Sequence, residues 1–287
     1  MTQTTTQRSD VGRAMPPPKD PHVRRRLSLA RRLRLGDGME TILTLGSLGL
    51  GVVIWEIVGR SMDLMFLPPA TEVLQRMGSL IVSGRILDEL FGSLQNLLIG
   101  YFIAAVAGVA IGVAMGRIWW LERALDPYVY AFLTAPSVVF VPVYFSLFGL
   151  SRWAIVGLIV QYAVFIIVVN TITAIQTVEV ELVEMARVFG AKNELIIVTK
   201  VLVRAALPLI SAGLRLGLGR AIKGMVNGEI LIAVVGLGAM SSAFGRAYDS
   251  EGVLAVLLVV IIVALALDWA AQQFDNRLNS WLPKTYR

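Results

Sequence analysis

Apolar residues fall into long runs along this chain, and short polar segments separate the runs. The runs are about 18 to 24 residues long, which suits α-helices that cross roughly 30 Å of hydrocarbon. Strand-length segments of alternating polarity, which a membrane barrel needs, do not occur. The pattern predicts six membrane helices: Thr41 to Val58, Leu94 to Met115, Tyr128 to Phe148, Trp153 to Thr173, Ala205 to Val226 and Val253 to Ala271.

The composition supports a membrane location. Of the 287 residues, 56% are hydrophobic and 16% are charged, and the mean hydropathy is +0.71. An ordinary soluble domain is far less apolar. We therefore expect an all-α, polytopic membrane protein whose transmembrane domain covers residues 40–275.

Basic residues at the N-terminus indicate the topology. Nine of the 26 basic residues lie in the first 34 positions. We interpret residues 1–39 as a disordered, basic cytoplasmic segment, because the positive-inside rule keeps such a cluster in the cytoplasm. Six helices then return the C-terminal tail, residues 276–287, to the cytoplasm. The last external loop is predicted to hold Glu229, Asp249 and Glu251 against Arg246.

Small residues recur at intervals of four in two predicted helices. Such stripes let another helix backbone approach closely, which predicts a tightly packed bundle. The second helix carries Gly100, Ala104, Gly108, Gly112 and Gly116, and the fifth carries Gly213, Gly217, Ala221, Gly224 and Gly228.

Three cations share a separate arc of the fifth helix: Arg215, Arg220 and Lys223. Each costs about 2.5 to 3.5 kcal/mol at the centre of a bilayer, so they should face protein or water. One interpretation is that they snorkel to the interface or pair with carboxylates. The other is that they form an electropositive translocation path.

The third predicted helix is interrupted by proline. Pro127, Pro136 and Pro142 predict kinks, and Pro136 with Ser137 is a candidate lining of the path. Breaks of this kind mark moving segments in some transporters, but ordinary membrane helices also tolerate proline.

The polar stretch between the fourth and fifth helices, residues 176–204, carries more charge than a simple connection needs. Glu179, Glu181, Glu184, Arg187 and Glu194 lie there in an order that permits a helix. We interpret this stretch as a docking element for a partner outside the membrane.

From Glu184 onward the chain resembles the cytoplasmic signature loop of binding-protein-dependent ABC importer permeases. That loop has the pattern Glu-Ala-Ala, three residues, Gly, and then Leu-Pro. The nitrate/sulfonate/taurine branch is the most similar, through Phe66–Leu74, Ala124–Pro127, Ala212–Ala221, Glu229 and Gly236–Gly238. The resemblance covers about residues 40 to 280. Met185 departs from the pattern, and Val203 and Arg204 stand where many relatives have an earlier Leu-Pro.

The resemblance implies a type I ABC importer permease fold in a bacterial inner membrane. It assigns the coupling to an ATPase to Glu184, Met185, Ala186, Gly190, Ala191, Leu207 and Pro208. It places a short helix around Glu184 to Phe189 that ends at Gly190, because glycine can adopt the left-handed conformation that ends a helix. It also implies cytoplasmic ABC ATPase subunits, an extracytoplasmic solute-binding protein and a permease homodimer as partners. The solute is expected to be a small anion such as nitrate, a sulfonate or taurine.

Catalysis by this chain itself is not expected. The chain has no cysteine and a single histidine, His22, so metal sites built from these residues are nearly excluded. No phosphate-binding loop of the Gly-x-x-x-x-Gly-Lys-Ser/Thr type occurs, so we expect ATP and Mg²⁺ on the partner ATPase and no cofactor here. Other interpretations are an ion-driven secondary transporter with Arg220 and Lys223 as coupling charges, a membrane enzyme, or a scaffold.

Overall fold

The computed structural model describes residues 37–61, 67–191, 193–232 and 234–278. These residues form helices and connecting turns, with no strand among them. The helices are α1 Asp37–Ser61, α2 Ala70–Val82, α3 Arg85–Arg117, α4 Trp119–Thr134, α5 Val141–Phe148, α6 Arg152–Gln176, α7 Val180–Val188, α8 Glu194–Ile232, α9 Leu237–Arg246 and α10 Ser250–Leu278.

Five of these helices, α1, α3, α6, α8 and α10, are long and apolar enough to cross a membrane. Helices α4 and α5 form a bent pair that brings the number to six if the pair counts as one span. The six predicted spans correspond to these elements. Most of the predicted tails, residues 1–39 and 276–287, lies outside the described residues, but residues 37–39 belong to α1 and 276–278 to α10.

The described residues form two compact units, one that ends at Val58 and one that begins at Gly59. The first unit contains most of α1, whose apolar side chains, such as Ile42, Leu48 and Val53, are exposed. A helix that is apolar on every side suits contact with lipid.

Helix α6 is the centre of the second unit and is the most buried of the long helices. Its Val- and Ile-rich sequence leaves Ile155, Ile159 and Ile167 with no exposed surface, because α3 packs on one side and α8 on another. The glycines of α3 make the first contact possible. Gly100, Gly108, Gly112 and Gly116 face Ile159, Ile167, Thr171 and Ile175, respectively.

The same helix packs against the glycines of α8. Gly213, Gly217, Gly224 and Gly228 face Asn170, Ile167, Tyr162 and Ile155, respectively. Along the α3–α6 contact, the residue numbers of both helices increase in the same direction. Along the α8–α6 contact, they increase in opposite directions. Helices α3 and α6 are therefore parallel, and α8 is antiparallel to both. Both predicted stripes are confirmed as packing surfaces.

The predicted kink in the third span is a sharp break. Helices α4 and α5, with the 3-10 turn Ser137–Phe140 between them, are bent by 98°. The break follows Ala135, the residue before Pro136, which has extended backbone angles as expected before proline. Pro127 lies inside α4 without ending it. Phe132 of α4 stacks on Phe165 of α6 at 5.1 Å between ring centroids.

The directions of the helices define two ends of the second unit. The C-termini of α3 and α6 and the start of α8 lie beside α7, and we call this the α7 end. Helices α2 and α9 lie at the opposite end, the α9 end, where Arg76 of α2 contacts Asp249 at 2.5 Å.

One predicted loop residue is placed differently. Glu229 was expected in the last external loop, but it lies inside α8 and is completely buried. The carboxylate can be buried because it accepts hydrogen bonds from Ser93 and from the amide of Gly238 within the protein. The first turn of α10 contains Glu251, and Asp249 directly precedes this helix, so these two carboxylates lie at the α9 end as a loop position requires.

The variant Gly112→Ala should unfold at a lower temperature than the unaltered protein. Its Cβ would lie 2.5 Å from Cβ of Thr171 and 2.9 Å from the carbonyl oxygen of Val168. Overpacking of this kind costs about 1 to 3 kcal/mol. Thermal unfolding in detergent measures the change. Gly92→Ala in the same helix is the matched control, because nothing lies within 4 Å of its Cβ. Equal melting temperatures would contradict the close contact.

Candidate functional site

Helix α7 forms an exposed surface in the connection between α6 and α8. None of its residues is buried. Glu184 is exposed, and the apolar side chains of Met185, Val188 and Phe189 are 52%, 84% and 87% exposed. Three apolar side chains beside a carboxylate, at the end of a membrane protein, are typical of a surface that binds another protein.

Gly190 ends α7 in the manner predicted for it. Its φ of +94° lies in the left-handed region. The amide of Ala191 donates to the carbonyl of Ala186 at 2.9 Å, and the amide of Gly190 donates to Arg187 at 3.0 Å. This pair of bonds is the Schellman motif, which satisfies carbonyls that the helix leaves free.

An ion-pair network joins α7 to two long helices. Glu194, the first residue of α8, contacts Arg187 of α7 at 2.7 Å through one carboxylate oxygen. Its other oxygen contacts Arg117, the last residue of α3, also at 2.7 Å. We call Arg117, Arg187 and Glu194 the Glu194 network. It connects the exposed surface of α7 directly to both helices that pack on α6.

Helix α8 begins with an irregular segment. Residues Ile197–Leu202 form a π-helix before the regular helix resumes at Val203. The segment directly precedes Val203 and Arg204, where the sequence departs from the expected Leu-Pro. Leu207 and Pro208 lie inside α8, within its first regular turns, and not in the α7 surface. The predicted coupling residues thus occupy two places.

The three predicted cations of α8 line one cleft of about 710 Å³. They lie outside the arc of α8 that contains the glycines, as predicted. Pro208, Ser211, Asp268 and Asp275 line the same cleft. Pro136 and Ser137 do not, since they lie at the break between α4 and the following turn.

The cations differ in their partners. Arg215 makes a bidentate pair with Asp268 of α10, at 2.8 and 2.9 Å. This pairing was one of the two interpretations of the sequence. Arg220 and Lys223 are exposed and make no ion pair or hydrogen bond with any residue that the structure describes. They leave the cleft with two cationic groups that are available to a ligand.

The sequence alone did not identify which residues meet in two polar contacts. The Arg215–Asp268 pair is one, although a lone carboxylate within the apolar run of α10 was a visible signal. The other is the buried site around Glu229, whose carboxylate accepts hydrogen bonds from Ser93 at 2.8 Å and from the amide of Gly238 at 3.0 Å.

Comparison with known proteins identifies the family. Residues 104–280 match the model of the binding-protein-dependent transport system inner membrane component. A probable ABC transporter permease protein of Brucella melitensis is 28% identical over 83% of this chain and 96% of its own length. The taurine transport system permease protein TauC of Escherichia coli is 26% identical over 84% of this chain and 90% of its own length.

The fold agrees with this match. A chain from an inward-facing structure of the MetNI methionine ABC transporter superposes with a TM-score of 0.56 at 21% identity, over 70% of this chain and 97% of that one. The protein is therefore a multi-pass membrane protein with the type I importer fold. It belongs to the family of inner membrane components of binding-protein-dependent transport systems, the permeases of ABC importers. An ion-driven secondary transporter is not favoured.

Replacing Gly190 by Ala should weaken the end of α7. An L-residue at this φ costs about 1 to 2 kcal/mol, which should open the two capping bonds more often. Hydrogen–deuterium exchange of the amides at positions 190 and 191 should be faster in the variant than in the unaltered protein. Gly219→Ala is the control, since this glycine of α8 has open space around it and no positive φ. Unchanged exchange at position 191 would contradict the role of Gly190.

Proposed function

We propose that this permease forms the translocation path for a small anionic solute, with Arg220 and Lys223 as the groups that attract the anion. The observation that carries the proposal is the cleft along α8, in which these two cations have no partner among the described residues while Arg215 is neutralised by Asp268. An anion supplies the charge that this surface lacks.

Relatives with named solutes support a solute that carries an anionic group. Besides the taurine permease, a putative aliphatic sulfonates transport permease of Bacillus subtilis is 28% identical over 80% of this chain, and a nitrate import permease of Leptolyngbya laminosa is 30% identical over 61% of it. A formylaminopyrimidine transport permease at 28% identity has a different kind of solute. The cations of the cleft favour the first group.

A second copy of the chain should close the cleft. Arg220 and Lys223 lie well inside the longest apolar helix and are exposed on the single chain. Facing lipid would cost about 2.5 to 3.5 kcal/mol for each cation. A homodimer in which the two α8 helices face a shared aqueous path would remove this cost.

The α7 end should bind a cytoplasmic ABC ATPase. Glu184 is available for charge-assisted hydrogen bonds, Met185 and Phe189 for apolar contact, and Ala186 for close approach. Gly190 and Ala191 fix the shape of the surface through the capping bonds. ATP and Mg²⁺ would bind to that partner, and the arginine-rich N-terminus, the C-terminus and the α7 end would all be cytoplasmic.

Force from the ATPase would reach the cleft through α8. The Glu194 network links α7 to the first residue of α8, and Leu207 and Pro208 lie between that residue and the cations. Pro208 removes one backbone hydrogen bond and gives α8 a place to bend. The break at Pro136 and Ser137 would let α4 and α5 follow. The bundle would then alternate between outward and inward access, with a solute-binding protein delivering the anion from outside.

The variants Glu184→Lys and Gly190→Pro should abolish uptake and leave membrane insertion intact. The first reverses a charge in the docking surface, and the second removes the amide that bonds Arg187. We would purify a C-terminally tagged chain in mild detergent and quantify the co-eluting ATPase by mass spectrometry. Glu251→Lys, a reversal at the opposite end, is the control. Stoichiometric ATPase in both variants, with normal uptake, would refute the coupling role.

Lys223→Met should raise the half-saturating concentration for anion uptake by roughly tenfold or more, since a hydrogen bond to a charged group is worth about 1.5 to 3 kcal/mol. Lys223→Arg keeps the charge and should stay close to the unaltered protein. Uptake of taurine and of nitrate by the reconstituted transporter measures both. Equal uptake by the Met and Arg variants at all concentrations would show that the charge plays no part.

A further inference from the structure

The start of α9 is held by side chains from two other helices. The amide of Gly236 donates to Glu89 of α3 at 2.6 Å, and the amide of Leu237 donates to Ser93 of α3 at 2.9 Å. The amide of Gly238 donates to Glu229 of α8 at 3.0 Å. Three consecutive amides at a helix start, which have no partner within their own helix, are thus all satisfied from outside it.

The residue that normally caps a helix cannot do so here. Position 236 is the N-cap of α9, and as a glycine it has no side chain to accept these bonds. We call Glu89, Ser93 and Glu229 the capping cluster. Glu229 is its centre, because its carboxylate also accepts the hydroxyl of Ser93 at 2.8 Å and so joins α3 to α8.

Both glycines of the turn are required by the contact with Glu229. Gly236 has a φ of +100°, and a Cβ there would overlap the carboxylate of Glu229. A Cβ on Gly238 would lie 2.6 Å from Cβ of Glu229 and 2.8 Å from the carbonyl oxygen of Val226. Glu229 and the Gly236–Gly238 turn, which are separated in the sequence, therefore pack directly against each other.

We propose that Glu229 is a positioning residue for transport, which fastens α9 to α8 and α3 so that α9 follows α8 when the α9 end opens and closes. Helix α8 runs from the Glu194 network, along the cleft, to Glu229 near its last turn. A displacement that begins at the α7 end would reach α9 through this carboxylate. The proposal rests on the proposed transport function, although the fastening itself can be measured without transport.

Cysteine labelling tests the fastening, and the chain offers a clean background because it contains no cysteine. Met240 of α9 is 8% exposed. We expect Met240→Cys alone to react slowly with a soluble maleimide in the detergent-purified permease. Adding Glu229→Ala should speed the reaction by about tenfold or more, since each lost hydrogen bond to a charged group shifts an equilibrium by roughly that factor.

Two further variants make the result specific. Glu229→Gln keeps the shape and one acceptor oxygen, so it should give a smaller increase, and it replaces the alanine variant if that one fails to fold. Glu251→Gln removes a charge in the first turn of α10, which the capping cluster does not involve, and should leave labelling unchanged. Equal labelling of Met240→Cys with and without Glu229 would overturn the proposal.

Uptake then tests the connection to transport. In the reconstituted transporter, Glu229→Ala should lower the maximal rate of taurine or nitrate uptake several-fold, and Glu229→Gln should lower it less. The half-saturating concentration should stay the same, because the cleft cations are untouched. The proposal would also be overturned if labelling of Met240→Cys became faster in a Glu229 variant and the maximal rate of uptake did not change. If the unaltered chain moves neither solute, the proposed function fails on its own, and the labelling result still stands.

Discussion

The close contact of α6 with α3 and α8 is the interaction on which the rest of the protein depends. In a bilayer, helices gain little from the hydrophobic effect when they meet, so packing and hydrogen bonds must hold them together. Glycines at intervals of four let both neighbours approach α6 until side chains such as Ile159 and Ile167 fill the space above each glycine. The parallel and antiparallel directions that follow separate the α7 end from the α9 end.

The tight contact on one face leaves the other face of α8 for polar chemistry. The glycines of α8 pack against α6, and a separate arc of α8 presents Arg215, Arg220 and Lys223 to the cleft. Asp268 neutralises the first of these cations. A single helix thus connects the α7 end, the cleft and the buried carboxylate of Glu229, and this continuity is why we propose that it transmits movement.

Both ends of α8 are joined to neighbouring helices through a carboxylate, but in different surroundings. The Glu194 network is exposed, so its ion pairs contribute little to stability and can rearrange at small cost. Glu229 is buried, where an unpaired charge is expensive and the hydrogen bonds from Ser93 and Gly238 are needed. The contacts at the α7 end can therefore rearrange when a partner moves this end. The contacts of Glu229 keep α9 attached to α8 and α3.

Features that depend on local order could be predicted from the amino-acid sequence. The lengths of the apolar runs predicted the spans, the spacing of small residues predicted the packing faces, and Gly190 predicted the end of α7. The arc of cations predicted a polar face on α8. Each of these follows from helical periodicity or from the backbone freedom of one residue.

The contacts between residues far apart in the sequence could not be predicted and came from the packing of the helices. This packing paired Arg215 with Asp268, placed Glu229 inside α8 and not in a loop, and used α3 and α8 to cap α9. It also set the 98° bend, where proline indicated a kink but not its size. The physical reason is that a carboxylate in a membrane helix needs a partner, and the partner is chosen by helix packing across many residues of sequence.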